Sequence, residues 1–202
     1  MSIDTIVFDL GNVLIPWEPR WLFRKLIANE AEIERFLQEV DFNAWNAAHD
    51  AGQPFAQGIA QTGERFPQYR HLLQAYFDRW EESVGEPINE SLQLLQELKA
   101  AGFRLLALTN FSTETFPIAR RRYAFLQEFE GILVSGEEGL IKPDPAIYER
   151  LFARYRVDPA KAVFIDDSAA NVLTAHELGM HAIHFTQPQG LRPALQAIGL
   201  PV

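Results

Sequence analysis

Hydrophobic positions along the chain fall into two rhythms. Five short runs are apolar at nearly every position: 5–10 (TIVFDL), 104–109 (RLLALT), 131–135 (GILVS), 162–166 (AVFID) and 181–185 (HAIHF). A strand with one wet face alternates, whereas a strand covered on both faces reads as a continuous apolar run. The runs therefore predict a parallel sheet held between two layers of helix. Between them the spacing becomes helical. In 89–101, Leu92, Leu95 and Leu98 recur at helical intervals, and Gly102 stands where a C-terminal cap belongs. Asp144 and Pro145 form an N-cap and first-turn proline for another helix, and Ser168 opens a third that runs towards Gly179.

Strand and helix alternate from residue 87 onwards, which predicts an α/β, Rossmann-like doubly wound parallel sheet with ligands outside the carboxyl ends of its strands. Residues 17–85 break that rhythm, with helix-like stretches such as AEIERFLQEV and YRHLLQAYFDRW and no convincing strand. The expected organisation is a core of residues 1–16 and 86–202, with a small helical insertion, 17–85, after the first strand. With no repeat, low-complexity tract or Gly/Ser linker, the insertion should pack on the core. Trp17, Trp21, Trp45 and Trp80 should pack within it, with Trp17 and Trp45 as candidates for a pocket wall.

Composition narrows the chemistry. The chain has 202 residues, 48% hydrophobic and 22% charged, a globular balance with room for one core and a modest insertion. A net charge of -9 opposes nucleic-acid binding, which depends on Lys and Arg neutralising phosphates, but it does not oppose a small phosphorylated metabolite met by local positive charge or a cation. Without cysteine there are no disulfides, thiol nucleophiles or thiolate metal sites, so any metal must be held by oxygen or histidine. No basic, apolar leader is evident, and no stretch reaches the roughly 18 to 20 apolar residues that span a bilayer. The expectation is a cytoplasmic protein without membrane contact; no pattern addresses its oligomeric state.

Four polar clusters fall at or near the carboxyl ends of the expected strands: Asp9, Thr109 with Asn110, Lys142, and Asp166 with Asp167. Phosphoryl transfer needs a nucleophile, donors for the phosphoryl oxygens, a cation and anionic ligands for it. Asp9 can attack phosphorus, while Thr109, Asn110 and Lys142 can donate to its oxygens. Asp166 and Asp167, with Asp9, offer the hard oxygens that suit Mg²⁺. Read singly, each cluster has a plainer meaning: an aspartate after a strand caps a turn, and a lysine is often solvated. Asn171 fits an exposed helical face or a partner that orients Asp166 or Lys142, and the Arg120 to Arg122 run fits a solvated face. His176, His181 and His184 read as structural.

In order, FDLGNVL, LTN, GLIKPDPAIY and FIDDSAAN resemble the four motifs of the haloacid dehalogenase superfamily, over most of the chain outside the insertion. The DLGNV form is similar to the small bacterial α-glucose-1-phosphate phosphatases and to the N-terminal phosphatase domain of epoxide hydrolases. The resemblance implies a Mg²⁺-dependent hydrolysis of small phosphomonoesters, sugar phosphates above all, through an aspartyl phosphate on Asp9. It also implies a metal contact from the Gly11 backbone, and a cap at 17–85 that selects substrates. The family's phosphatases usually carry a second Asp two positions after the nucleophile, where this chain has Gly11. Three escapes are then open: a good leaving group that needs no proton, such as an anomeric phosphate, a proton from metal-bound water, or one from His49 or Asp50 of the insertion swung into place. Two rivals stay open: a 2-haloacid dehalogenase, which the paired Asp166 and Asp167 disfavour, and a ligand-binding homologue that has lost turnover.

Overall fold

Every position of strand β1 (Thr5–Phe8) is buried, which is why it reads as unbroken hydrophobicity. It lies at the centre of a five-stranded, all-parallel sheet with β2 (Arg104–Thr109), β3 (Gly131–Val134), β4 (Ala162–Asp166) and β5 (His181–His184), in the order β3-β2-β1-β4-β5. Thr5 is in register with Arg104 on one side and Ala162 on the other, so β1, β2 and β4 end within two residues of one another. The coordinates are a computed structural model that describes residues 2–202.

Alternate side chains of the central strands enter two separate cores. Ile6, Phe8, Leu105, Ala107, Val163 and Ile165 face one, together with Leu94, Leu95 and Leu98 of helix α6 and Leu191 and Leu195 of helix α11. Val7, Leu106, Leu108 and Phe164 face the other, with Ile147, Tyr148 and Leu151 of α9 and Ala175 of α10. Here α6 is Asn89–Ala100, α9 Pro145–Tyr155, α10 Ala169–Glu177 and α11 Pro188–Ala197. Helices on both faces make the sheet doubly wound, as the apolar runs predict. Strand β5 is the exception: it forms a sheet edge and its two histidines are exposed.

The helix signals act as read. The Asp144 side chain accepts from the Ala146 amide, 2.9 Å away, with Pro145 in the first turn of α9. Gly102 takes φ +89 just after α6, a left-handed conformation that glycine reaches without steric cost. Ser168 precedes α10, but its side chain makes no capping bond there.

Between β1 and α6 lie helices α1 (Arg20–Phe23), α2 (Glu30–Glu39), α3 (Phe42–Asp50), α4 (Phe55–Arg65) and α5 (Arg70–Asp78). Aromatic rings hold them: Phe23 meets Phe36 and Phe42 with centroids 4.9 and 5.6 Å apart, and Phe42 meets Tyr76 at 5.0 Å. These rings belong to the same apolar cluster as Ile6 and Phe8 of β1, so the segment packs on the sheet's own core. The chain enters and leaves it side by side. Trp17 pairs antiparallel with Val84, the Gly85 amide donates to the Pro16 carbonyl at 3.0 Å, and the Glu18 amide donates to the Ser83 carbonyl at 2.8 Å. Helices α7 (Phe116–Arg122) and α8 (Ser135–Glu138) complete the fold.

Candidate active site

Because β1, β2 and β4 end within two residues of one another, the residues at and after their ends converge. Asp9 leaves β1 still tied to the sheet through its amide, which donates to the Ile165 carbonyl at 2.8 Å. Asp166 ends β4 fully buried. Lys142 comes from the loop between α8 and α9, and its ammonium reaches both carboxylates: Nζ lies 2.9 Å from Asp9 Oδ1 and 2.7 Å from Asp166 Oδ2. A third bond runs 2.9 Å to the Leu108 carbonyl, so all three ammonium protons have acceptors.

Each group is held by a further contact. The Asn110 side chain clasps the backbone of Lys142, accepting from its amide at 2.9 Å and donating to its carbonyl at 3.0 Å. Asn110 thereby positions the lysine, and the second proton of its Nδ2 has no acceptor among the described residues. The Asn171 amide donates to both oxygens of Asp166, at 2.9 and 3.0 Å, and the Ser168 amide adds a 2.8 Å bond to Oδ1. Tyr148 in turn donates to the Asn171 carbonyl at 3.0 Å. Asp9 Oδ1 also accepts from the Leu10 amide at 2.7 Å, while Oδ2 accepts no hydrogen bond among the described residues. Asp167 is partly exposed, and His184 Nε2 donates to its carbonyl at 3.0 Å.

Asp9, Asp166 and Asp167 can each present one oxygen within 4.8 Å of the others. One ammonium against three carboxylates leaves the cluster two negative charges in excess. Burial above all, and then the charges of Asp166 and Asp167, push the Asp9 carboxyl up to about 7 despite the opposing pull of Lys142. Asp167 is likewise raised, by burial first and Asp166 second. For Lys142, burial favours the neutral amine, but Asp9 and Asp166 outweigh it and hold the proton. Hard oxygen donors, close spacing and unbalanced negative charge are what a small divalent cation neutralises, so these residues fit Mg²⁺.

A cavity of about 250 Å³ opens on this cluster. Asp9, Gly11, Lys142, Asp167 and Asn110 border it on the sheet side, and Trp17, Asn46, Asp50, Phe55, Tyr76 and Trp80 on the helical side. Thr109 is buried at the end of β2, one residue before the lining. Of the four insertion residues singled out, Trp17 and Asp50 reach the cavity. Trp45 and His49 pack behind it, with the His49 ring stacked on Phe55 at 4.0 Å. Asn12, at φ +53, accepts from the Trp17 amide at 2.9 Å and so bends the chain that carries Gly11. The aromatic lining of Phe55, Tyr76 and Phe111 was not among the sequence candidates; neither was Asn46, although its i, i+4 spacing from Asp50 was a readable signal.

A family profile described as haloacid dehalogenase-like hydrolase matches residues 3–179. The chain belongs to that family. Among curated relatives of this family member, sesquiterpene phosphatase astK of Aspergillus oryzae is 26% identical over 92% of the chain and 91% of its own length. The phosphorylated carbohydrates phosphatase of Thermotoga maritima is 23% identical over 90% and 84%. Acyl-CoA dehydrogenase family member 10 of mouse is 26% identical over the whole chain, which spans only 20% of that protein. Among solved structures, a HAD-like hydrolase of Porphyromonas gingivalis aligns with a TM-score of 0.75 at 24% identity, covering 98% of both chains. The HAD family enzyme bt-2542 of Bacteroides thetaiotaomicron, in complex with magnesium and inorganic phosphate, aligns with a TM-score of 0.69 at 22% identity, over 90% and 93%. L-2-haloacid dehalogenase of Xanthobacter autotrophicus aligns at 0.64 with 16% identity, over 97% and 83%. At these identities the structural likenesses speak for the fold.

Proposed function

We propose that this chain is a Mg²⁺-dependent phosphatase of small phosphomonoesters in which Asp9 is the nucleophile. One observation carries the reading: Lys142 fixes Asp9 through Oδ1 alone, inside a three-carboxylate cluster, and Oδ2 remains for attack on phosphorus. The phosphatase names of two relatives that share most of their length with the chain support it.

In this reading Asp9, Asp166, Asp167 and the Gly11 carbonyl would hold Mg²⁺. When bound, the cation would offset charge on the phosphoryl oxygens and screen the approach of one anion to another. Lys142, its three protons already taken, neutralises Asp9 and Asp166, holds the nucleophile's orientation and offsets phosphoryl charge as a positive charge rather than as a donor, and the Thr109 hydroxyl is the donor proposed for the phosphoryl group. Asn110 acts through Lys142. Asp9 attacks phosphorus, the ester oxygen leaves, and water then cleaves the aspartyl phosphate. Helices α1–α5 serve as a cap whose aromatic faces, among them Trp17, Phe55, Tyr76 and Trp80, receive the leaving group. Flat faces of this kind suit the C–H side of a sugar ring, which keeps phosphosugars first in the substrate panel.

The test is a turnover panel of phosphorylated metabolites plus 2-chloropropionate, each with Mg²⁺ and with excess chelator. Phosphate release that needs Mg²⁺ is the expected result. Halide release that survives the chelator would overturn the proposal in favour of a dehalogenase.

A further inference from the structure

Glycine at position 11 has no titratable side chain, so if Asp9 attacks phosphorus the leaving oxygen needs its proton from elsewhere. His49 is not placed to give it. Its ring is fully buried against Phe55, its Nδ1 lies 2.9 Å from the Gln53 carbonyl oxygen, and it does not border the cavity. Asp50, the next residue, does border it, together with Asp9, Lys142 and Asp167.

Asp50 is fixed there from two directions. The Ser135 hydroxyl, at the carboxyl end of β3, donates to the Asp50 carbonyl at 2.5 Å and accepts from the Phe111 amide at 2.8 Å. The following turn sits tight on the sheet as well: a Cβ on Gly52 would lie 3.1 Å from the Gly136 carbonyl oxygen. The end of α3 is therefore seated on the sheet edge, and Asp50 needs no swing to reach the site.

The side chain ends a hydrogen-bond chain with a fixed direction. An indole N–H can only donate, and that of Trp17 points at the Tyr76 hydroxyl, 3.2 Å away. The Tyr76 hydroxyl donates in turn to Asn46 Oδ1 at 3.0 Å. That bond sets the amide so that Asn46 Nδ2 donates to Asp50 Oδ2 at 2.9 Å. With Oδ2 accepting, a carboxyl proton belongs on Oδ1, which takes no hydrogen bond among the described residues.

We infer that Asp50 is the general acid and base of this site, supplying from the helical segment the carboxyl group that Gly11 lacks. The inference rests on the reading of Asp9 as the nucleophile. In the first step Asp9 Oδ2 bonds to phosphorus, the phosphorus–oxygen ester bond breaks with its electrons on oxygen, and the Asp50 Oδ1 proton moves to that oxygen, releasing the alcohol. In the second step Asp50, now a carboxylate, takes a proton from the attacking water. The bond from phosphorus to Asp9 breaks with its electrons returning to the carboxylate, and phosphate leaves with Asp50 protonated again. Burial first and the Asp9 charge second raise the Asp50 carboxyl to about 7, against the pull of Lys142, so both protonation states are populated near neutrality. The other ionisable groups on the cavity are Asp167 and, through the hydrogen-bond chain, Tyr76.

The test uses the full chain with Mg²⁺ and a series of esters from 4-nitrophenyl phosphate through phenyl phosphate to an alkyl phosphate. In the unmodified protein kcat/KM should depend weakly on leaving-group acidity, and a steep fall towards the alkyl ester would overturn the inference without any variant. Asp50→Asn, which keeps an acceptor for Asn46 Nδ2, should lose about 10² to 10⁴-fold on the alkyl ester and under about tenfold in the first step on 4-nitrophenyl phosphate. On that substrate it should release one equivalent of nitrophenol and then turn over slowly, because the second step lacks its base. Equal loss on every ester, or no loss on any, overturns the assignment. Asp9→Asn separates the two readings: if the unmodified protein is active and needs Asp9 while Asp50→Asn is unchanged, only the role of Asp50 falls. If no ester is cleaved by the unmodified protein, the phosphatase reading fails and takes this role with it. Should Asp50→Asn not fold, the leaving-group series on the unmodified protein decides.

Discussion

Asp9 and Lys142 define the site at the scale of single residues, and they should fail in different ways. Asp9→Asn keeps shape and hydrogen-bond capacity but removes the nucleophile, so turnover should drop by at least about 10³-fold with folding intact. A phosphate-release assay beside a thermal melt checks both halves. Lys142→Met keeps length but leaves Asp9 and Asp166 without the one cation they share, with the lysine side chain 1% exposed and Asp166 fully buried. Removing one partner from such a buried group costs about 3 to 5 kcal/mol. Denaturant titration in chelator should show that loss, and added Mg²⁺ should recover part of it; a loss under about 1 kcal/mol would mean that the lysine is not what balances the carboxylates. Asp9, Lys142, Asp166 and Asp167 were legible because strand-end placement and motif order mark them. Asn46 was legible only in its spacing from Asp50; its place in the chain of hydrogen bonds depends on Tyr76 and Trp17, which are distant in sequence and meet only once the helices are packed.

At the scale of elements, the sheet was legible almost to the residue because burial on both faces leaves an unmistakable pattern. Runs 104–109 and 162–166 coincide with β2 and β4, and the other three run one or two residues past the strands that form. The helices of 17–85 were legible as helices, but their mutual packing was not, since it rests on pairs such as His49 with Phe55 and Trp45 with Gly58. A Cβ on Gly58 of α4 would lie 2.3 Å from the His49 ring and 3.2 Å from the Trp45 indole nitrogen. Gly58→Ala should therefore push α4 away from α3, at a cost of about 1 to 3 kcal/mol. It should also raise KM by moving the Asp50 wall. Unfolding and steady-state kinetics measured together check this, and an unchanged KM would show that α3 is held by Ser135 alone.

For the whole molecule, stability should run against pH in the way that crowded acids dictate. Asp9 and Asp50 bind protons more tightly in the folded chain, at about 7, than at their ordinary value of 3.8. Their contribution is complete below the ordinary value and is lost as pH rises through about 7. In chelator the chain should melt at a higher temperature at pH 5 than at pH 8. Mg²⁺ should narrow that gap, because it binds the ionised cluster of the folded state. A net charge of -9 adds repulsion of the same sign. Among the described residues no helix is long and apolar enough to cross a membrane.

The paired crossing at Trp17 and Val84, closed by the Gly85 to Pro16 hydrogen bond, fixes the gap between the two ends of the helical segment whatever lies between them. A replacement segment of different length or lining has to match that gap and the seat that Ser135 gives the end of α3. Asp9, Lys142 and the β4 aspartates lie outside it, so selection can rewrite what the cavity admits while the cluster at the strand ends stays as it is. If Asp50 supplies the proton, that freedom has a limit: an exchanged segment must bring its own acid or find an aspartate restored at position 11. Grafts of residues 17–84 between relatives should sort into active and inactive chimaeras by that one carboxyl group.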